Sequence, residues 1–376
     1  MGIVSRVQLR DFRNIPALET EFSPGITIIT GANGQGKTSL LEGIYYLAFL
    51  RSFRTRRPTD MTRWGAAGWT IKASVTPSSA AVGGLSTHSL AVSYTDSKRL
   101  IRDEKIIHDG MEFINSFLCV ALVPEDLDLI KGPPLLRRRF VDMLLCQISR
   151  DYLHGLVRYN QALTRRNALL KNVGRFGEKA VRAYDPILAE TGARLTWTRA
   201  SVLSELAAVY SDVLGELTDT PAAWTSRYVS SVFRRQSEGM SIDELKQGML
   251  TCLENEFSRD EERRVTRFGP HRDDLSITIN GKSLSTYGSE GQCRLGALGL
   301  RLAAMRMLKE TLANSEVVLL VDDVFGELDT HRRAAFFNTV SQADQVFITG
   351  TSIPSELTDF SRRMIMVDGC LSGESS

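Results

Sequence analysis

The segment Gly31-Ala32-Asn33-Gly34-Gln35-Gly36-Lys37-Thr38 constrains this chain more than any other eight residues. It matches G-x-x-x-x-G-K-[ST] at every fixed position. It follows the β-branched run Ile26-Thr27-Ile28-Ile29-Thr30 and precedes apolar residues at helical spacing, Leu40, Leu41, Ile44 and Leu47. Strand, glycine-rich turn and helix in that order make a phosphate cradle. The glycines let successive N–H groups point inward, and the helix adds the positive end of its dipole. Lys37 is then expected to reach β and γ phosphates, Thr38 to ligate Mg²⁺, and Asn33 to reach the γ phosphate or its attacking water.

Such a loop needs an acidic partner for the metal, and Val317-Val318-Leu319-Leu320-Val321-Asp322-Asp323 supplies an apolar strand ending in two carboxylates. This is the Walker B pattern. Asp322 would hold Mg²⁺, and Asp323 would orient or deprotonate the hydrolytic water.

At 376 residues the chain has room for two or three domains, or one with a large insertion. Its 43% hydrophobic and 24% charged residues exclude a mainly disordered chain. The net charge, 46 − 44 = +2, gives no global field toward nucleic acid, so any DNA contact must use local patches. No apolar run approaches the roughly 20 residues that span a bilayer. The start lacks a signal-peptide pattern, and five scattered cysteines without a C-x-x-C pair favour reduced thiols, the cytoplasm and no structural zinc.

Alternating residues near the start (Val4 to Arg10, Ile26 to Thr30) and after residue 268 (Leu275 to Ile279 closed by Asn280-Gly281, Val317 to Val321, Val346 to Ile348) read as strands. Between Pro124 and Arg267 the period becomes helical. The expected organisation is one sheet domain from residues 1–123 plus 268–376, interrupted by a helical insertion at 124–267. Thr76 to Thr87 reads as a hairpin tip or surface loop, and Gly369 to Ser376 as a short frayed tail.

Ser285-Thr286-Tyr287-Gly288-Ser289-Glu290-Gly291-Gln292 opens a helix, and its Ser-x-Gly-Gln resembles the signature motif of ABC-type ATPases. Gly326-Glu327-Leu328-Asp329 similarly resembles their D-loop, with Asp329 at its end. The match narrows with Asp11-Phe12-Arg13-Asn14, Arg51-Ser52-Phe53-Arg54-Thr55, Val123-Pro124-Glu125-Asp126-Leu127, Arg137-Arg138-Arg139-Phe140-Val141-Asp142, Arg166-Asn167-Ala168-Leu169-Leu170-Lys171 and Gly269-Pro270-His271-Arg272-Asp273-Asp274-Leu275. Together these resemble the bacterial RecF family over nearly the whole chain.

The resemblance implies an α/β fold: a P-loop ABC-type ATPase head similar to SMC heads, a mixed sheet with flanking helices and a helical insertion domain. It also implies a cytoplasmic recombination mediator that binds ATP with Mg²⁺, forms a homodimer on ATP and hydrolyses it slowly. The expected substrate is DNA at single-strand gaps and duplex junctions, with RecR and RecO as partners in loading RecA, in repair, replication restart and the SOS response. Ser289, Gly291 and Gln292 would bind, in trans, the ATP held by another subunit. Arg13 would approach the nucleotide, as an Arg or Lys after the first strand does in related heads.

Two departures from the wider superfamily bear on rate. Asp323 stands where a catalytic Glu is usual, and Thr349 stands where a switch His is usual. Both favour a timing switch over a motor.

Arg54, Arg56 and Arg57, and separately Arg137, Arg138 and Arg139, form clusters that could meet DNA phosphates, with Arg165, Arg166 and Lys171 of similar weight. Each could equally be a solvated face with local ion pairs. His271 is weighed toward structural positioning or a nucleotide-linked contact rather than proton transfer. The rival readings are a P-loop small-molecule kinase, which needs neither signature nor D-loop; an ABC transporter ATPase subunit, for which the distance from P-loop to Walker B is too long; and a scaffold that binds ATP without hydrolysing it.

Overall fold

The computed structural model describes residues 2–77, 87–218, 222–234, 237, 239–313, 315–324, 330–351 and 361–373. The first third of the chain builds strands β1 (Ile3–Phe12), β2 (Ile15–Glu21) and β3 (Gly25–Thr30), helix α1 (Lys37–Phe49), strands β4 (Trp69–Thr76), β5 (His88–Tyr94), β6 (Lys98–Arg102) and β7 (Lys105–Ile107), helix α2 (Gly110–Phe113) and strand β8 (Leu118–Leu122). The middle builds helices α3 (Leu127–Lys131), α4 (Pro134–Ile148), α5 (Arg150–Leu170), α6 (Val173–Phe176), α7 (Glu178–Arg182) and α8 (Asp185–Leu217), strand β9 (Trp224–Val229), helices α9 (Ile242–Asn255) and α10 (Phe257–Arg263), strands β10 (Asp274–Ile279) and β11 (Lys282–Ser283), and helices α11 (Leu284–Tyr287) and α12 (Glu290–Thr311). The chain closes with strand β12 (Val317–Asp322), helix α13 (Thr330–Val340) and strands β13 (Gln345–Gly350), β14 (Ser361–Val367) and β15 (Cys370–Gly373).

These elements divide into two compact units. Residues 1–126, 216–219 and 298–376 form the first, and residues 127–215 and 220–297 form the second. The first unit holds two sheets where the alternation pattern suggested one. An antiparallel sheet runs β2-β1-β4-β5-β6-β7, and a second runs β15-β14-β3-β13-β12-β8. In the latter β14, β3, β13, β12 and β8 are mutually parallel, and only edge strand β15 is antiparallel.

Helix α1 packs against β1 and β4 of one sheet and against β8, β12 and β13 of the other. That placement explains why Leu40, Leu41, Ile44 and Leu47 are fully buried while even Ser39 and Glu42 lie inside. An element covered on both sides has no solvent face to keep polar.

The second unit is helical around a small sheet, β11-β10-β9. Strand β9 lies inside the stretch that reads as all helix, and it pairs along its length with β10, from Asp274↔Val229 to Ile279↔Trp224. This pairing draws residues 268–297 into the second unit, so its boundary falls at 297/298 rather than at 267/268. The Asn280-Gly281 turn does close a hairpin, with both residues at positive φ (50° and 75°), joining β10 to β11.

Two further expectations change. Cys370–Gly373 is not frayed but pairs with β14, because Asp368 and Gly369 at positive φ make a tight turn. Residues 78–86, the tip of the expected hairpin, lie outside the described residues, while the flanking β4 and β5 pair antiparallel.

Candidate functional site

The parallel strands β3, β13 and β12 deliver the P-loop, Thr349 and Asp322 to one edge. The register sets Thr30 opposite Gly350 and Asp322 opposite Thr349, so all three segments leave the sheet at their carboxyl ends. Ligands of open parallel sheets bind at that edge. A cleft of 610 Å³ opens there, lined among others by Arg13, Asn14, Asn33, Gly34, Gly36, Lys37, Thr38, Arg54, Asp322 and Asp323.

The loop's shape depends on backbone that only glycine adopts without strain. Gly31 has φ 148°, and a Cβ there would lie 2.3 Å from the Met366 carbonyl oxygen of β14. Gly36, at φ 113°, caps α1 and turns the chain into the helix. The Lys37 ammonium lies inside this curl, donating to the carbonyls of Gly31 (2.7 Å) and Ala32 (2.9 Å). It is 7% exposed, so its charge is concentrated at the cradle rather than spread into water.

Thr38 and Asp322 meet directly. The Thr38 hydroxyl donates to Asp322 Oδ1 at 2.9 Å, and the Thr349 hydroxyl donates to the same oxygen at 2.6 Å. Burial pushes the Asp322 carboxyl above its ordinary range; the two hydroxyls from Thr349 and Thr38 pull it back, and Asp323 beside it pushes up again. A hydroxyl and a carboxylate at this spacing, with a phosphate cradle alongside, suit Mg²⁺, which takes one or two carboxylates and fills its remaining positions from phosphate and water. Among the described residues no group of three or more His, Cys, Asp or Glu forms an all-protein cage. Asp323 is exposed, adopts φ 52°, and is fixed by its N–H donating to Thr349 O at 3.2 Å. A non-glycine residue held there costs energy, and such outliers cluster at functional sites. Thr349 therefore orients both acidic residues, a role its place in the sequence did not reveal.

Two supports of the loop and one of the cleft wall also escaped the sequence reading. Asn14 donates from Nδ2 to Gly34 O (2.5 Å) and accepts the Ser39 hydroxyl on Oδ1 (2.8 Å), bracing both ends of the loop. The C-terminal hairpin turn grips Gln35: Asp368 N–H donates to its side-chain oxygen and Gly369 N–H to its carbonyl (3.0 Å). Buried Glu42 ties Arg13 (Nε 2.8 Å, Nη2 2.5 Å), accepts the Ser52 hydroxyl and lies 3.7 Å from Arg54. Arg13 lines the cleft, but Glu42 and the Asp60 carbonyl (2.7 Å) hold its guanidinium. Arg54, exposed like Arg56 and Arg57, is the member of its cluster that lines the cleft.

In the second unit, Ser289 and Gln292 cap α12 reciprocally. Gln292 N–H donates to Ser289 Oγ (3.2 Å), and Ser289 N–H donates to Gln292 Oε1 (2.9 Å). Ser289, Gly291 and Gln292 are all exposed, leaving this helix start accessible to an anion. Asp329 lies outside the described residues.

Two arginines of the second basic cluster have partners within the fold. Arg137 makes a two-toothed pair with Asp274 (2.7 and 2.9 Å) and donates to the carbonyls of Leu129, Ile130 and Gly132. Arg138 donates to Asp273 O at 2.7 Å. Arg166 is fully buried, bound to Asp185, Asp260 and the Thr266 hydroxyl, each at 2.8 Å. These hydrogen bonds and ion pairs tie Arg137, Arg138 and Arg166 into the fold. His271 is structural as well. It lies between the Tyr159 hydroxyl (Nδ1, 2.7 Å) and Thr266 O (Nε2, 3.0 Å), and burial pulls its pKa down to about 4.

The family model for the RecF/RecN/SMC N terminal domain matches residues 3–368. The chain is 34% identical over 363 residues to the DNA replication and repair protein RecF of Halalkalibacterium halodurans, covering 93% of each, and 36% identical over 360 residues to that of Symbiobacterium thermophilum, covering 93% and 92%. Among solved structures it resembles the recombination mediator protein RecF-ATP in the RecFOR pathway (TM-score 0.88, 29% identity, 99% of each chain) and RecF-ATPrS in the same pathway (TM-score 0.87, 28% identity, covering 99% and 98%). An ABC-type head with P-loop and Walker B strand, matched over 93% of the chain to these relatives, places this chain in the RecF family.

Proposed function

We propose that this protein is an ATP-dependent recombination mediator that closes as a homodimer on DNA at single-strand gaps or junctions and opens after slow hydrolysis. The observation that carries the reading is the 2.9 Å contact of Thr38 with Asp322 on the floor of the cleft, with Lys37 buried in the loop beside it. Lys37 and the loop N–H groups bind the polyphosphate. Thr38 and Asp322 hold Mg²⁺, which when bound neutralises phosphate charge, and Asn33 lies on the cleft wall within the loop. Asp323 orients the attacking water and accepts its proton. Its side chain is one methylene shorter than the usual Glu, and Thr349 offers a hydroxyl where a His would be, so turnover is slow and serves as a timer.

The exposed N-terminus of α12 at Ser289 offers an anion site to a second copy, which supports ATP held between two subunits. RecR and RecO are the expected partners, from the pathway named for the solved relatives. No helix among the described residues is long and apolar enough to cross a membrane. Kinship over the full length leaves the kinase and transporter-subunit readings without a supporting observation.

Light scattering with Mg²⁺ and either ATP or ADP tests this proposal. The wild type should double in mass with ATP alone and then retain gapped DNA, while Ser289→Arg should bind ATP as a monomer. A wild type that stays monomeric with ATP contradicts the clamp.

A further inference from the structure

The P-loop and its acidic partners account for only part of the cleft. The remaining wall is made by Arg13, Asn14, Ser39, Arg54, Asp60, Thr62, Arg63 and Trp64. Arg13 is tied to Glu42, and the Arg63 guanidinium is tied to Asp11 at 2.7 Å. Among the described residues Trp64 is the one aromatic side chain in the lining, and it is 97% exposed. A single exposed apolar residue is ordinary on a protein surface. Here the position is what matters.

Trp64 is presented by a fixed support. Ala66 N–H donates to Arg63 O at 3.0 Å, closing a four-residue turn whose third residue, Gly65, takes φ 79°. That turn is pinned to the end of β1 by Arg63 N–H to Asp11 O (2.9 Å), Arg13 N–H to Met61 O (2.7 Å) and an isolated bridge between Phe12 and Thr62. Its other flank is held by Trp69 Nε1 donating to Pro58 O at 2.9 Å. An indole on a rigid turn loses little freedom when a flat ring settles on it.

We propose that Trp64 is the stacking platform for the purine base of the bound nucleotide. A nucleotide whose phosphates lie in the P-loop sends its base to the rest of the cleft, and among the described lining side chains only Trp64 offers an aromatic face. Stacking of a base on an aromatic side chain contributes about 1–3 kcal/mol and is tolerant of base identity, so Trp64 holds the base without reading it as adenine. The inference rests on the cleft being the nucleotide site, so its test must separate the two.

Full-length wild type, Trp64→Ala, Trp64→Phe and Lys37→Ala are titrated calorimetrically with Mg²⁺-ATP and with inorganic tripolyphosphate, which has no base. Trp64→Ala should weaken ATP about tenfold, Trp64→Phe should remain within about threefold of wild type, and tripolyphosphate should bind all three alike. Lys37→Ala should lose both ligands. If Trp64→Ala binds ATP as wild type while Lys37→Ala loses it, the base lies elsewhere and the P-loop reading stands. Equal weakening of both ligands by Trp64→Ala overturns stacking in favour of a collapsed turn. If Lys37→Ala keeps both ligands, the nucleotide reading itself fails and takes this inference with it.

Discussion

Asp273 in the second unit and Asp322 in the first are both buried carboxylates that burial pushes above the ordinary range, but their surroundings differ in kind. Asp273 is enclosed by the Tyr228 hydroxyl, the Ser231 N–H (2.6 Å) and the Arg199 guanidinium (3.6 Å). Arg199 in turn is occupied by Asp142 (2.7 Å), the Tyr152 hydroxyl (2.9 Å) and Pro270 O (2.7 Å). Asp322 has two hydroxyls, a like-charged neighbour, the weaker pull of Arg54 across the cleft and an opening beside it; among the described residues it forms no ion pair. A buried acid whose cation is already in the fold is a structural device. One left with hydroxyls beside an opening still has a cation to bind.

The largest expected effect breaks the closed side of this comparison. Arg166→Met leaves Asp185 and Asp260 buried without their cation and should lower the unfolding free energy by about 3–5 kcal/mol, read from urea titration. A loss under 1 kcal/mol would mean the triad is not a structural lock. Next is pH. His271 is held neutral when folded, with a pKa of about 4 against 6.5 when unfolded. The unfolded chain therefore binds the extra proton between those values, so stability is full above pH 6.5, falls as pH drops toward 4, and levels below it. The loss is on the order of 3 kcal/mol. His271→Gln should flatten that part of the stability profile, and an unchanged slope would assign it to the carboxylates.

Two smaller effects concern the open side. Gln35→Ala removes the side-chain half of the grip by the C-terminal turn and should weaken ATP about fivefold, since one net hydrogen bond is worth about 1 kcal/mol. Isothermal titration reads this directly. Replacing Arg56 and Arg57 together by Glu should reduce the salt dependence of DNA binding by a slope of about 2, as two lost phosphate contacts would. Arg137→Glu should instead lower stability and leave the slope unchanged, because its partners are Asp274 and three carbonyls.

Much of the open side was legible in the sequence, because a phosphate loop is a contiguous pattern with its own strand and helix. Gly31 to Thr38, Asp322 and Asp323 come together as the motif spacing requires. What supports them was not legible. Asn14 and the Asp368-Gly369 turn reach the loop from other parts of the chain, and Glu42 on α1 holds Arg13 at the cleft; no local spacing records those contacts. The closed side misled for a related reason. Arg137, Arg138 and Arg166 look like phosphate-seeking clusters in one dimension, while their acidic or carbonyl partners lie as far as 137 residues away. The helical period between Pro124 and Arg267 likewise hid β9, whose partner strand begins only at Asp274.

The most direct test of the contrast between closed and open buried acids is Asp322→Asn, followed by thermal unfolding with and without Mg²⁺-ATP. Replacing an acid that forms no ion pair among the described residues should leave the melting temperature unchanged or raise it, while the stabilisation conferred by Mg²⁺-ATP is lost. A variant that melts several degrees lower and still gains stability from Mg²⁺-ATP would show that Asp322 is a structural acid like Asp273, and that the metal is held elsewhere.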